Sequence, residues 1–139
     1  MERYRYFDHT ADLGVEIYGG TLRDLFQNAI DALVETMVDV STVDEREGVE
    51  VEVESDSLEE LFVDMLREVI FQHEVREMYF KRGELKEFEE GRRVRFTLWG
   101  EPIDLKKHSP RIHVKNVTYH NLEIKKLNGA WRARVIFDV

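Results

Sequence analysis

Five consecutive residues, Asp8-His9-Thr10-Ala11-Asp12, put two carboxylates, an imidazole and a hydroxyl side by side, with Gly14 just beyond. No apolar periodicity accounts for them, and an alternating stretch begins directly after. Polar side chains at the mouth of a strand point to a site, although Asp and Thr also serve there as plain turn and cap residues. The far end of the chain holds a second feature. Asp138 is a lone carboxylate in an apolar terminal segment, and Val139 adds its α-carboxylate. If that segment lies beside residues 8–18, then Asp12, Asp138 and the terminal carboxylate converge. Such oxygen donors suit a hard cation, calcium or magnesium, better than zinc, which favours nitrogen and sulfur. The competing reading is a frayed terminus carrying an exposed aspartate. His9, His108, His113 and His120 offer another constellation. An aspartate with one or two of them would make a metal-hydrolase site, but their spacing is not diagnostic. His73, one turn beyond Val69 and Ile70, reads as a boundary or core histidine. The chain has no Gly-rich phosphate loop, no HExxH and no GxSxG, so it lacks the marks of a nucleotide hydrolase, a zincin or an α/β-hydrolase.

The elements that must position these residues follow from periodicity. Leu13, Val15 and Ile17 alternate with Gly14, Glu16 and Tyr18, which predicts a strand stopped by Gly19-Gly20. Thr21 caps a helix over about 21–38, with Leu22, Leu25, Phe26, Ala29, Leu33 and Met37 as its stripe. Val49, Val51 and Val53 alternate with glutamates, a strand with one wet face. Ser57-Leu58-Glu59-Glu60 is a capping box opening a second amphipathic helix, about 57–76. Residues 78–88 read as a strand region bent or bulged at Gly83, and 94–98 as the next strand, broken by Gly100-Glu101-Pro102. A charged loop over 104–111 precedes a strand running from 114 through Ile124. Asn128-Gly129 is a hairpin signal leading to a closing strand, with Trp131, Ala133, Val135, Phe137 and Val139 on one face. Two long helices among five to seven strands predict an α+β domain, residues 1–139, with a mixed or antiparallel sheet and the helices packed on it.

The totals narrow the field. A chain of 139 residues fits one domain, and that length buries roughly 68–70% of its unfolded surface. There is no cysteine, hence no disulfide framework or thiolate metal site. A net charge of −9 disfavours direct grip on nucleic acid, so any RNA would be held by a partner protein. The opening residues lack the apolar stretch of a signal peptide, and no run approaches the ~18 apolar residues of a membrane span. The expectation is a cytoplasmic protein.

Three patches carry a resemblance to the archease family. They are Asp8-His9-Thr10-Ala11-Asp12 with the Gly20/Leu25-Phe26 helix start; Trp99-Gly100-Glu101-Pro102 through Lys107-His108 to Val114-Lys115-Asn116-Val117-Thr118-Tyr119-His120; and the tail Val135-Ile136-Phe137-Asp138-Val139. Asn116 departs from the small residue expected at its position. The resemblance implies an accessory protein of the RtcB-type tRNA-splicing RNA ligase, a GTP-dependent, manganese-using enzyme. It would promote guanylylation of the ligase and multiple turnover. It would not be an enzyme itself, and it would meet tRNA only through the ligase. A chaperone-like role is also implied. The family's divalent-metal site, usually assigned calcium, falls on Asp12, Asp138 and Val139, with Lys115 as a nearby functional cation. Asp8, His9 and His120 join Lys115 as partner-facing candidates. A stand-alone metal-dependent hydrolase and a general holdase are the alternatives.

Overall fold

The computed structural model describes residues 2–9 and 12–139, with the backbone alone at positions 8 and 9. Among the described residues the chain forms seven strands and two α-helices. Their order is β1 (Tyr4–His9), β2 (Asp12–Gly19), α1 (Leu22–Met37), β3 (Glu47–Glu54), α2 (Leu58–Arg76), β4 (Met78–Glu89), β5 (Arg93–Pro102), β6 (Asn116–Leu127) and β7 (Ala130–Asp138). A short 3-10 turn at Val40–Thr42 follows α1.

Local chemistry sets the helix starts. The Thr21 hydroxyl accepts the Asp24 N–H at 3.1 Å, and the Ser57 hydroxyl accepts the Glu60 N–H at 3.2 Å. Each satisfies a backbone donor that the first helical turn leaves orphaned. Helix α2 ends at Glu77, whose left-handed backbone (φ 52°) lets its N–H reach the His73 carbonyl.

The strands form two antiparallel sheets, one ordered β1-β2-β7-β6 and the other β3-β5-β4. Helix α1 packs on β2 of the first sheet and β4 of the second, while α2 packs on β6 and on all three strands of the second. The helices therefore lie between the sheets. Phe26, Phe62, Phe96 and Phe137 are buried completely in that layer, and Phe26 meets Phe62 edge-on at 5.3 Å. Truncating one such ring to alanine costs about 3–5 kcal/mol. No helix among the described residues is long and apolar enough to cross a membrane.

The α+β domain, its two helices and its antiparallel strands agree with expectation. Three arrangements differ. The strands divide between two sheets, because alternation reveals a strand's wet face but not its neighbours. Strand β1 was not foreseen, because Tyr4-Arg5-Tyr6-Phe7 does not read as alternating apolar and polar. Gly100-Glu101-Pro102 continues β5 rather than breaking it: Gly100 pairs with Phe80 and Glu101 with Tyr79. Pro102 sits at the strand's last position, where a missing N–H is tolerated. The bend expected at Gly83 is realised as register shifts at Phe80/Arg82 and Leu85/Glu87, on either side of it.

Candidate metal centre

The four-stranded sheet carries one register row across all its strands. His9 pairs with Asp12, Asp12 with Asp138, and Asp138 with Asn116. Residues directly opposite in an antiparallel pair share a face, with Cβ atoms about 4.5–5.5 Å apart. Asp12 and Asp138 thus come together from opposite ends of the sequence. Leu13, Val15, Ile17, Ala133, Val135 and Phe137 of the same two strands alternate with them. Val15, Ile17, Ala133, Val135 and Phe137 are buried toward the helices, so the aspartates lie on the face turned away from them.

The frayed-terminus reading does not describe this strand. Strand β7 is flanked by β2 and β6 up to Asp138, and the Lys115 N–H donates to the Asp138 carbonyl at 2.8 Å. Val139 follows, half-buried against the core. Lys115 is exposed and next to Asn116 of the shared row. Asp8 pairs with Leu13, one step off that row. Thr10 and Ala11 of the opening motif, and the side chains of Asp8 and His9, lie outside the described residues. His120 is exposed within an excursion of β6, between Thr118 and Glu123, where the pairing with β7 slips and Asn121 takes a left-handed backbone (φ 54°).

The remaining histidines do not gather around an aspartate. His108 is buried, with Nδ1 accepting the Asp104 N–H and Nε2 facing Glu101 Oε2, both at 3.0 Å. An Nδ1 that accepts leaves the proton on Nε2, which donates to Glu101. His73 is a boundary residue whose Nδ1 lies 2.6 Å from the Met78 carbonyl oxygen. His113 lines a small surface cleft with Met37 and Tyr79. Among the described residues, no group of three or more His, Cys, Asp or Glu side chains is placed to hold a metal.

Two features escaped the sequence reading. Glu101 is 3% exposed and accepts from His108, the Asp44 N–H (2.8 Å) and Lys107 Nζ (2.9 Å). The His108 hydrogen bond first, then the Asp44 amide, hold its carboxyl at about 2, well below the usual range. The 104–111 loop is thereby fastened to the body by a buried carboxylate. The other feature is Phe7 with Arg134 on the outer face. The Phe7 ring lies so close to Gly14 that a Cβ there would collide with it, and the Arg134 guanidinium sits 4.2 Å from the ring centroid. Only the gap at position 14 hinted at this in the sequence.

Fold and site define a small α+β protein whose first hairpin and last strand share one acidic row. The model of the archease protein family (MTH1598/TM1083) matches residues 4–139. Protein archease of Pyrococcus abyssi is 36% identical over the whole of both chains. The solution structure of protein 1598 of Methanobacterium thermoautotrophicum superposes with a TM-score of 0.82 at 35% identity, covering 100% of each chain. A crystal structure from Thermotoga maritima, described as an archease and possible chaperone, matches with a TM-score of 0.62 over 97% of this chain and 96% of its own. At 22% identity it supports the fold alone. The chain belongs to the archease family.

Proposed function

We propose that this chain is an accessory protein of a GTP-dependent tRNA-splicing RNA ligase in the cytoplasm, promoting guanylylation and repeated turnover of the ligase without being an enzyme itself. The observation that supports this most is the pairing of Asp12 with Asp138, which gives the family's expected metal position a physical basis. Two carboxylates directly opposite on a sheet repel. Hard oxygen donors at that spacing suit calcium first, and magnesium or manganese next. Asp12, Asp138 and Val139 would hold the cation, with the rest of its oxygen shell coming from water or the partner. When bound, the cation would supply positive charge and open coordination positions at the paired aspartates. Lys115 adds a cation beside the row and, with Asp8, His9 and His120, makes up the partner-facing side.

The test uses Asp12→Asn and Asp138→Asn. Both are expected to fold as wild type by circular dichroism, to lose calcium binding by calorimetry, and to fail to stimulate multiple-turnover RNA ligation. Full stimulation by both variants would remove the reading. Phosphoester hydrolysis by the pure protein with divalent metal would replace it with the hydrolase alternative. Suppressed aggregation of an unrelated client, unchanged in both variants, would favour the holdase.

A further inference from the structure

The outer face of the four-stranded sheet holds a cation that, among the described residues, makes no ion pair with a protein carboxylate. Arg132 on the same face is engaged, lying 3.8 Å from Glu16 and hydrogen-bonded to Glu123. Arg134 is not. Among the described residues no carboxylate or carbonyl accepts from its guanidinium, and its Nε is buried with no hydrogen-bond partner. What holds it is the Phe7 ring, 4.2 Å below. That ring is held in turn by the missing side chain of Gly14. A guanidinium stacked on an aromatic keeps its planar fork of donors while losing conformational freedom. The seat is preorganised, and although Glu16 and Glu123 stand directly opposite Arg134 in the sheet, both carboxylates turn to Arg132 instead.

Position narrows the ligand. Phe7 pairs with Gly14 and Gly14 with Ile136, so the ring lies in the row next to Asp12–Asp138. Two residues along a strand separate the rows by about 7 Å. Arg134 itself stands two rows from the aspartates, opposite Glu16, but its guanidinium reaches the Phe7 ring in the nearer row, so an oxyanion there lies about one row or more from the carboxylates. A diphosphate or triphosphate chain can span that step, with one phosphoryl group on the guanidinium fork and the next facing a cation at the aspartates. The net charge disfavours a long polyanion.

We propose that Arg134, seated on Phe7, is an anion-binding residue that takes a phosphoryl group of a small di- or triphosphate ligand on this face. The location rests on Arg134 and Phe7 alone. The strength rests in part on the cation reading above, because a bound cation offsets the repulsion of Asp12 and Asp138.

Isothermal titration of inorganic pyrophosphate into the full chain tests this, in calcium held low enough to keep calcium pyrophosphate in solution, with the heat of pyrophosphate into the same calcium buffer subtracted, and separately in chelator. Wild type is expected to bind in calcium, and more weakly in chelator. Arg134→Met is expected to weaken binding roughly tenfold or more under both conditions, the scale of one charge-assisted contact. Arg134→Lys should fall between them, because a point charge replaces the fork. Phe7→Leu leaves the charge and removes the platform, and should weaken binding less than Arg134→Met. Thermal melts of all variants establish that each is folded. Equal affinity in wild type and Arg134→Met, or no binding by wild type in calcium, overturns the proposal. Tighter, Arg134-dependent binding of a short single-stranded RNA than of pyrophosphate overturns the assignment to a small ligand. Calcium affinity measured without pyrophosphate reports separately on the cation reading, so the two can fail independently.

Discussion

At the scale of single residues, Asp138 and Gly14 make opposite demands on one sheet. Asp138 faces Asp12 directly, and like charges placed so destabilise the pair. In chelator, Asp138→Asn should therefore melt at or slightly above the wild-type temperature. Calcium should stabilise wild type by about 2.7 kcal/mol at a hundred times the dissociation constant, raising its melting point, and leave the variant's unchanged. Scanning calorimetry across a calcium titration reads both. Gly14 has ordinary backbone geometry but no room, since an added Cβ meets the Phe7 ring. Gly14→Ala should cost about 1–3 kcal/mol through overpacking and displace the ring that seats Arg134. Urea unfolding measures the first effect and pyrophosphate titration the second.

The elements explain why the acidic row exists at all. Strand β7 sits between β2 and β6; the hairpin that precedes it starts its pairing with β6, and its unbroken register with β2 sets Asp138 opposite Asp12. Asn128 and Gly129 both adopt positive φ, 51° and 81°, as a two-residue hairpin turn of this hand requires. A slip of one residue would send Asp138 to the helix-facing side and Phe137 outward. Among the described residues nothing lies within 4 Å of a Cβ added at Gly129. Gly129→Ala should therefore cost about 1 kcal/mol through backbone strain alone. In urea this appears as a lower midpoint with an unchanged slope. Together with Gly14→Ala, it separates the two reasons a sheet keeps a glycine.

For the molecule as a whole, the buried Glu101 couples the 104–111 loop to the body and sets a pH dependence. Its folded pKa, about 2, lies below the ordinary glutamate value. A depressed carboxyl contributes stability above its unfolded pKa of about 4.3, and that contribution is lost as pH falls through the folded value. Wild type should thus lose this contribution as pH drops from about 4.3 to 2. Glu101→Gln should be less stable near neutral pH and converge on wild type toward pH 2. Thermal unfolding of both proteins across that range checks the sign. The surface glutamates Glu50, Glu87 and Glu123, each lowered chiefly by a hydrogen bond from a neighbouring side chain, should respond more strongly to added salt than Glu101 does.

Both helices, their caps, the final hairpin and six of the seven strands were legible in the sequence, because apolar spacing and turn chemistry act over a few residues. Strand β1, written in tyrosine and arginine, was not. Neither was the division into two sheets, because pairing partners are chosen by packing on the central helices rather than by any local pattern. The same distinction runs through the site. The amino acids at positions 12 and 138 name the chemistry on offer, two hard oxygen donors. Only the register of β2 on β7 brings them face to face, and only the empty space at Gly14 lets Phe7 carry Arg134 beside them. Contacts between residues far apart in the chain depend on long-range packing, and that packing is decided by the fold as a whole.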